Sequence, residues 1–131
     1  MAQHPIEMIL LKQWASLMAV PVWITDVEGR LLYYNEPTEE LIGLRFEDAG
    51  ELSAEELADF FVICDLDGSP LSDDERPLMI ALKKQMSAHR QLRFIRASDK
   101  QSREIAVTAV PIIGEGNRHL GAMVTMWENG Q

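Results

Sequence analysis

The order of hydrophobic and polar positions predicts a helix at the start of the chain, over residues 5–19. Two apolar stripes follow the helical spacing: Ile6, Leu10, Trp14, Leu17 and Met18 in the first, and Met8, Leu11 and Ala15 in the second. A surface helix usually has one apolar face, whereas here only a narrow polar strip is left. We therefore expect contacts on two sides, one with the domain's own sheet and one with a second molecule or a neighbouring domain. The alternative is a loosely attached terminal helix with exposed leucines.

Residues 22–43 predict a β-hairpin followed by a capped helix. Two runs, residues 22–27 and 30–34, are rich in the β-branched and aromatic side chains that strands prefer. They flank Glu28-Gly29, a pair that suits a two-residue hairpin turn. Asn35 is a preferred N-cap, and Gly43 is placed to end the helix that follows.

The middle of the chain predicts short helical pieces separated by irregular segments. Residues 45–50 are expected to form a loop, and residues 53–56 form a capping box that starts a helix. Residues 62–71 are predicted to be irregular, with a turn at 67–70. Residues 72–86 predict a longer helix, with acids near its start, Lys83 and Lys84 near its end, and apolar positions that face the sheet.

The last third of the chain changes to a β pattern. Residues 91–97, 103–113 and 119–128 are rich in β-branched and large apolar side chains, and short turn-like segments separate them. Sequential strands with such short connections must be antiparallel. The predicted fold class is therefore α+β, with one antiparallel sheet, helices packed on one face and the additional N-terminal helix.

Composition and charge narrow the function classes. A chain of 131 residues is expected to form one domain, and no apolar run approaches the length of a membrane span. The net charge of −9 argues against a nucleic-acid or anionic-membrane partner. A single cysteine, Cys64, cannot form an internal disulfide and fits a reducing compartment. We expect a soluble cytoplasmic domain without a secretory signal.

The acids are concentrated in one region. Residues 47–75 contain eleven Asp and Glu residues and no Lys or Arg, whereas the following residues, 76–118, are mainly basic among their charged positions. A solvated acidic lobe is the simpler interpretation, and a surface that steers a partner is the alternative.

Three features together resemble a bacterial sensory PAS domain. They are the Asp26, Gly29 and Asn35 pattern with the helix EPTEELIG, the segment DLDGSPLSDDERPLMIAL, and the closing hairpin REIAVTAVPIIGEGNRHLGAMVTMWEN. The resemblance implies a five-stranded antiparallel sheet in the order 2-1-5-4-3, with a pocket between the sheet and the helices. It also implies that residues 1–20 are a dimerisation or capping helix and that residues 21–131 are the PAS domain.

Strand alternation and the resemblance together give candidate site residues. The pocket candidates are Trp23, Thr25, Leu78, Met79, Leu82, Ile105, Val107, Ala109, Met123, Thr125 and Trp127. The dimer-interface candidates are Ile6, Leu10, Leu11, Trp14, Leu17 and Met18. Two interpretations of the pocket stay open: a core that its own side chains fill, or a site for a small apolar or aromatic ligand.

The expected function is sensing or regulatory dimerisation without catalysis, and the alternative is a pure adaptor with a filled core.

The cofactor is not identified. Flavin-binding, light-sensing members of the family carry a reactive cysteine after the early helix, and this chain has no cysteine near Gly43. Haem-binding members supply a His from the long helix, and residues 75–86 of this chain contain none. Both cofactors are therefore disfavoured. The histidines show no metal-ligand spacing. A second alternative, a small enzyme, would need an acidic side chain that faces the pocket. The candidates Asp26 and Glu104 are predicted at a turn or on the outward face of a strand, which argues against this alternative. No effector protein or domain is identified.

Overall fold

The computed structural model describes residues 5–128. The helices and strands follow in this order: α1 Ile6–Leu17, β1 Val22–Thr25, β2 Leu31–Tyr34, α2 Glu36–Ile42, α3 Phe46–Ala49, α4 Ala54–Leu57, β3 Phe61–Cys64, α5 Pro77–Lys84, β4 Ala88–Arg96, β5 Ser102–Ile113 and β6 His119–Glu128. Single 3₁₀ turns occur at Asp73–Glu75 and Glu115–Asn117. The predicted α+β class is confirmed.

Within residues 5–128 the strands form one antiparallel sheet of six strands, in the order β2-β1-β6-β5-β4-β3. The prediction of five strands in the order 2-1-5-4-3 was therefore one strand short. The additional strand is β3, which lies at the edge and pairs with β4 in the register Val62↔Ile95. It overlaps residues 62–71, which were predicted to be irregular. Four residues are too few to show a clear alternation in the sequence, so the pairing with β4 decides their conformation.

Two other local predictions were wrong. Residues 45–50 contain α3 instead of a loop. The predicted helix 72–86 is divided, because Arg76 is extended, with φ −84° and ψ 122°, and α5 begins only at Pro77. A residue before proline avoids the helical region because its backbone would collide with the proline ring.

The hairpin connection is also longer than the predicted two-residue turn. The strands end at Thr25 and resume at Leu31, and Asp26 organises the loop between them. Its Oδ1 accepts hydrogen bonds from the backbone N–H groups of Glu28 and Arg30, both 2.9 Å. Asp26 therefore has a structural role in the hairpin.

The helix after the hairpin confirms its predicted ends. The Asn35 side chain accepts a hydrogen bond from the Thr38 N–H, 3.3 Å, and Gly43 ends α2 in the left-handed region at φ 79°. The predicted capping box at the start of α4 is also present, between Ser53 and Glu56.

Helices cover both faces of the sheet. The inner face carries Trp23 and Val107, and the main core lies between it and α2–α5. The outer face carries Val22 and Ile24, and a second, smaller core lies between it and α1. Met8 and Ala15 of α1, each 1% exposed, pack in this second core. The expected contact of α1 with its own sheet is thus confirmed.

Candidate ligand-binding cavity

A cavity of about 500 Å³ lies on the inner face of the sheet, below α4 and α5. Every strand and both of these helices contribute to its wall. The apolar wall consists chiefly of Leu31, Leu57, Phe61, Ile63, Leu71, Leu78, Met79, Leu92, Val107 and Val124. The residues with polar side chains on the wall are Thr25, Asp73 and Arg76, and Trp23 also lines the cavity. The cavity is therefore apolar with a few polar groups, as small-molecule sites usually are.

Eight of the eleven pocket candidates lie on the cavity side of the sheet. Five of them line the cavity: Trp23, Thr25, Leu78, Met79 and Val107. The other three, Leu82, Ile105 and Ala109, are buried in the main core beside it. Strand alternation therefore placed the five candidates of β1 and β5 on the correct face, and the other three belong to α5.

The three candidates from β6 lie on the wrong face. Met123 packs in the outer core, Thr125 pairs with Val22, and Trp127 is 42% exposed. The register explains this, because directly opposed residues of antiparallel strands share a face and Trp23 is opposite Val124. Ala122, Val124 and Met126 are the inward-facing set of β6. The sequence held a signal for this face: Ala122, Val124 and Met126 are all apolar, as a core-facing set should be, whereas the predicted set includes Thr125.

Phe61 is the main aromatic residue of the site that sequence reasoning missed. It stacks on Phe94, with ring centroids 4.9 Å apart, and lies 5.2 Å from the Trp23 ring. Its position in the edge strand β3, which was not predicted, explains why it was missed.

The indole N–H of Trp23 has no hydrogen-bond partner within the described part of the chain, although the atom is buried. Trp23 itself is only 6% exposed. A buried donor without an acceptor costs about 1–3 kcal/mol. This unsatisfied donor belongs to a residue that lines the cavity.

Arg76 is the only cation on the cavity wall among residues 5–128. Its half-buried guanidinium makes no hydrogen bond or ion pair with the described residues, whereas the neighbouring charges are paired. Asp73 contacts Lys83 at 3.3 Å, and Arg90 contacts both Asp65, at 3.0 Å, and Glu75, at 3.6 Å. Sequence reasoning missed Arg76, although it is the first basic residue after the acidic segment.

The acids near the cavity are fixed by hydrogen bonds. The Ser72 N–H and hydroxyl both donate to Glu75 Oε1, at 3.0 Å. These bonds, and then the nearby charge of Arg90, lower the pKa of Glu75 below its usual value.

In the main core, burial raises the pKa of Tyr34 to about 12, and its hydroxyl donates to the Leu44 carbonyl at 2.9 Å.

The dimer-interface candidates divide between the two sides of α1. Ile6, Leu10, Trp14, Leu17 and Met18 are exposed, and Ile9 extends this apolar stripe. We call these six residues the outer stripe. Leu11 is instead half-buried and packs against the outer core, and its role in an interface stays a prediction. Leu11 follows Met8 by three positions and therefore shares the face that packs on the sheet.

A smaller depression of about 300 Å³ lies where the segment after α1, the helix α2 and the end of β6 meet. Trp127 and an Arg103–Glu128 ion pair, 2.8 Å, border it. Its wall is more polar than that of the larger cavity, and of its charged side chains, Glu40, Arg103 and Glu128, the last two pair with each other. The larger cavity is therefore the candidate site.

Within residues 5–128 no group of three or more His, Cys, Asp or Glu side chains could hold a metal ion. Cys64 is buried at the end of β3, and His89 lies exposed on β4 with its ring centroid 6.2 Å from that of Trp127. In the part of the chain that the structure describes, no helix is both long and apolar enough to cross a membrane.

The curled antiparallel sheet, the helices on its inner face and the cavity between them define an α+β domain. A family model described as the PAS fold matches residues 10–127, and the chain belongs to this family. The family assignment made from the sequence is thus confirmed. PAS domains are sensory or regulatory modules of signal transduction, and this chain is one of them.

Solved structures show the same fold. The PAS domain of Bordetella pertussis BvgS is 12% identical, with a TM-score of 0.65 over 95% of this chain and 87% of that one. A LOV protein of Rhodobacter sphaeroides is 15% identical, with a TM-score of 0.71 over 97% and 70%. The PAS domain of nitrogen regulation protein NR(II) of Vibrio parahaemolyticus is 20% identical, with a TM-score of 0.61 over 91% and 97%. No curated protein sequence matches the chain significantly.

Proposed function

We propose that this PAS domain senses a small molecule that binds in the inner cavity, and that it acts without catalysis of its own. The observation that carries the proposal is an apolar cavity lined by Trp23, whose buried indole N–H has no partner among the described residues. The volume of about 500 Å³ lies within the range of about 300–1,000 Å³ that small-molecule sites occupy. An acceptor on the ligand would satisfy the donor, and the apolar wall would cover the rest of the molecule.

We further propose that the domain forms a homodimer through the outer stripe of α1. Trp14 is 72% exposed and Leu17 is 87% exposed, in the same helix whose other side is fully packed. A stripe on one helix can meet its own copy about a two-fold axis, so each residue makes the same contacts in both protomers. Residues 1–20 would then be the dimerisation segment and residues 21–131 the sensory domain, acting in the cytoplasm on an effector still to be identified.

A signal needs a physical connection between the cavity and the dimer. Trp23 lies on the cavity wall, and the preceding residue, Val22, packs in the outer core below α1. A ligand that displaces β1 would therefore also change the surface on which α1 lies. The ligand must bind one of the two arrangements more tightly, because equal affinity for both would shift nothing.

The adaptor alternative also has an observation in its favour. The rings of Trp23, Phe61 and Phe94 already fill one side of the core, and their stacking would stabilise the domain without a ligand. In that case the dimer would form, and the cavity would stay without function.

Native mass spectrometry of the purified chain tests the proposal, with thermal unfolding measured alongside. We expect added small-molecule mass, or a higher melting temperature when the molecule is supplied, because a ligand that binds only the folded state stabilises it. Val107→Phe should remove both effects by filling the cavity. Val110→Phe is the matched control, since it makes the same change in the same strand, opposite Met123 on the outer face.

Because a larger side chain at the buried Val107 could prevent folding, Met79→Phe at the half-buried wall provides a second test. Loss of ligand mass in a folded Met79→Phe variant supports the sensor. If a library of small molecules produces no added mass and no stabilisation in the wild-type dimer, the adaptor is the correct function.

A further inference from the structure

Two residues that line the cavity carry hydrogen-bond donors without an acceptor within residues 5–128: Trp23, whose indole N–H is buried, and Arg76, whose guanidinium is unpaired. Neither group can accept a hydrogen bond, since an indole nitrogen and a guanidinium are donors only. A ligand that satisfies both must therefore present acceptor atoms. This requirement rules out ammonium groups and other pure donors as the polar end of the ligand.

The charge at this wall favours an anion. Arg76 precedes α5 directly, and Leu78 and Met79 of the first turn also line the cavity. The first backbone N–H groups of a helix have no partner within the helix, and its dipole favours negative charge there. The net charge of the chain is −9, so an unpaired cation at the cavity is a local exception.

The same wall limits the size of that negative charge. Arg76 is the only cation among the described residues of the wall, and Asp73, also on the wall, would repel a second negative charge on the ligand. Lys83 pairs with Asp73 at 3.3 Å but does not line the cavity. A planar guanidinium matches a carboxylate in geometry and charge, whereas a phosphate dianion needs more positive charge than this wall supplies.

We infer that the ligand of this domain is a monocarboxylic acid with an apolar body, whose carboxylate is bound by Arg76 and whose body lies among the apolar side chains of the cavity. The inference rests on the proposed sensor function and adds the chemical class of its ligand. Trp23 supplies the second donor, to a carboxylate oxygen or another acceptor of the ligand. The apolar part lies against apolar wall residues such as Leu31, Phe61, Leu92 and Val124.

Calorimetric titration of the complete chain with three probes of equal chain length tests the inference. The probes are decanoate, its uncharged methyl ester and decyl phosphate. We expect decanoate to bind most tightly. Arg76→Gln should weaken decanoate binding by about tenfold or more, because a charge-assisted hydrogen bond is lost, and should leave the ester unchanged. Since the Arg76 side chain has no partner within residues 5–128, this variant should fold normally.

Lys84→Gln is the matched control, since it removes one positive charge from the other end of α5, outside the cavity wall. It should not affect decanoate binding. Trp23→Phe keeps an aromatic ring but removes the N–H, and it should weaken all acceptor-bearing probes. Arg76→Lys should restore part of the affinity, because it keeps the charge but loses the planar geometry.

The outcomes separate this inference from the proposed function. Equal binding of decanoate and its ester, with no effect of Arg76→Gln, would show an apolar-ligand sensor and overturn the carboxylate assignment. Tighter binding of decyl phosphate would also overturn it. If none of the three probes binds while another small molecule adds mass in the native spectrum, the sensor stands and this ligand class is wrong. If nothing binds at all, both are wrong.

Discussion

The side-chain amide of Asn35 donates a hydrogen bond to the Ala15 carbonyl, with Nδ2 and O 2.9 Å apart, across the interface between the sheet and α1. The same nitrogen donates to the Val20 carbonyl at 2.9 Å. Its oxygen accepts from the Val22 N–H at 3.0 Å and from the Thr38 hydroxyl at 2.9 Å. One buried side chain thus connects α1, the following segment, β1 and α2, so it joins the proposed dimer helix to the strand that carries Trp23.

Replacing Asn35 by Asp should loosen α1 without removing the cap of α2. The variant keeps an oxygen that can accept from Val22 and Thr38, but it turns a second oxygen towards two carbonyls that need a donor. We expect a loss of about 2 kcal/mol or more in the free energy of unfolding. Hydrogen exchange should show faster exchange in residues 6–17 and little change in residues 36–42.

Asn35→Ala is the comparison, because it removes both the donor and the cap. It should destabilise the domain further than Asn35→Asp and increase exchange in both helices, since an N-cap alone contributes about 1 kcal/mol. Unchanged protection of α1 in Asn35→Asp would show that this side chain does not hold the helix to the sheet.

Gly121 allows β6 to approach β1 closely, and Gly121→Ala should be strongly destabilising. Its φ is 150°, and a Cβ at this position would overlap the Thr25 carbonyl oxygen. We expect a loss of about 3 kcal/mol or more, because neither backbone can move without breaking the pairing of the two strands. Urea unfolding measures the change.

Gly116→Ala is the matched control for Gly121→Ala. Gly116 also has a positive φ, 72°, but a Cβ there would meet no atom within 4 Å. It should cost only about 1 kcal/mol from the left-handed backbone. Equal losses for the two variants would mean that the overlap at Gly121 is relieved by a small shift.

The outer stripe of α1 can be tested by changing its charge. Leu10 and Leu17 are 51% and 87% exposed, so Leu10→Glu with Leu17→Glu should leave the fold intact. If the stripe forms the dimer, the double variant should raise the dimer dissociation constant at least about a hundredfold, since two apolar contacts become two buried like-charge pairs. Light scattering over a dilution series measures it.

Val27→Glu provides the control for the stripe. Val27 is 46% exposed in the hairpin loop and is not part of the outer stripe, and the same type of substitution there should leave the dimer unchanged. A wild-type chain that is monomeric at all concentrations would exclude the proposed dimer and indicate that another surface covers the stripe.

Acid should weaken the attachment of α1 through Glu7. Its carboxylate accepts a hydrogen bond from the Glu115 N–H at 3.0 Å, which joins α1 to the β5–β6 loop. Hydrogen bonds from its own backbone N–H and then from Glu115 lower the pKa of Glu7 below its usual 4.5. Because the folded-state pKa is the lower one, the stabilisation is complete above pH 4.5 and is lost as the pH falls through the lowered value.

Glu7→Gln keeps an oxygen that can accept from Glu115 but cannot titrate. We expect the exchange protection of α1 to fall less steeply in this variant than in the wild type between about pH 6 and about pH 3. Other acids with lowered pKa values, such as Glu56, titrate in both proteins and cancel in the comparison. Identical pH profiles would show that Glu7 does not hold α1.

Local sequence signals were sufficient where a few neighbouring residues decide the conformation. The Asn35 cap and the Gly43 end of α2 were predictable because both act within one helical turn. The β4–β5 and β5–β6 hairpins were predictable because long runs of strand-forming residues are joined by short turns. The residue-by-residue pairing across the sheet was not predictable, because it depends on the register between strands.

The sequence by itself determined the α+β class and the two apolar stripes of α1, since both depend on periodicity and on the order of elements along the chain, and its motifs resemble the PAS family strongly enough to identify it. Only the tertiary structure decided the sixth strand, the inward face of β6 and the position of Arg76 at the cavity. A shift of one residue in register exchanges the two faces of a strand, so Val124 rather than Thr125 meets the cavity only because it is paired with Trp23. Arg76 is likewise unpaired because the fold places the nearby acids Asp73 and Glu75 in contact with Lys83 and Arg90 instead.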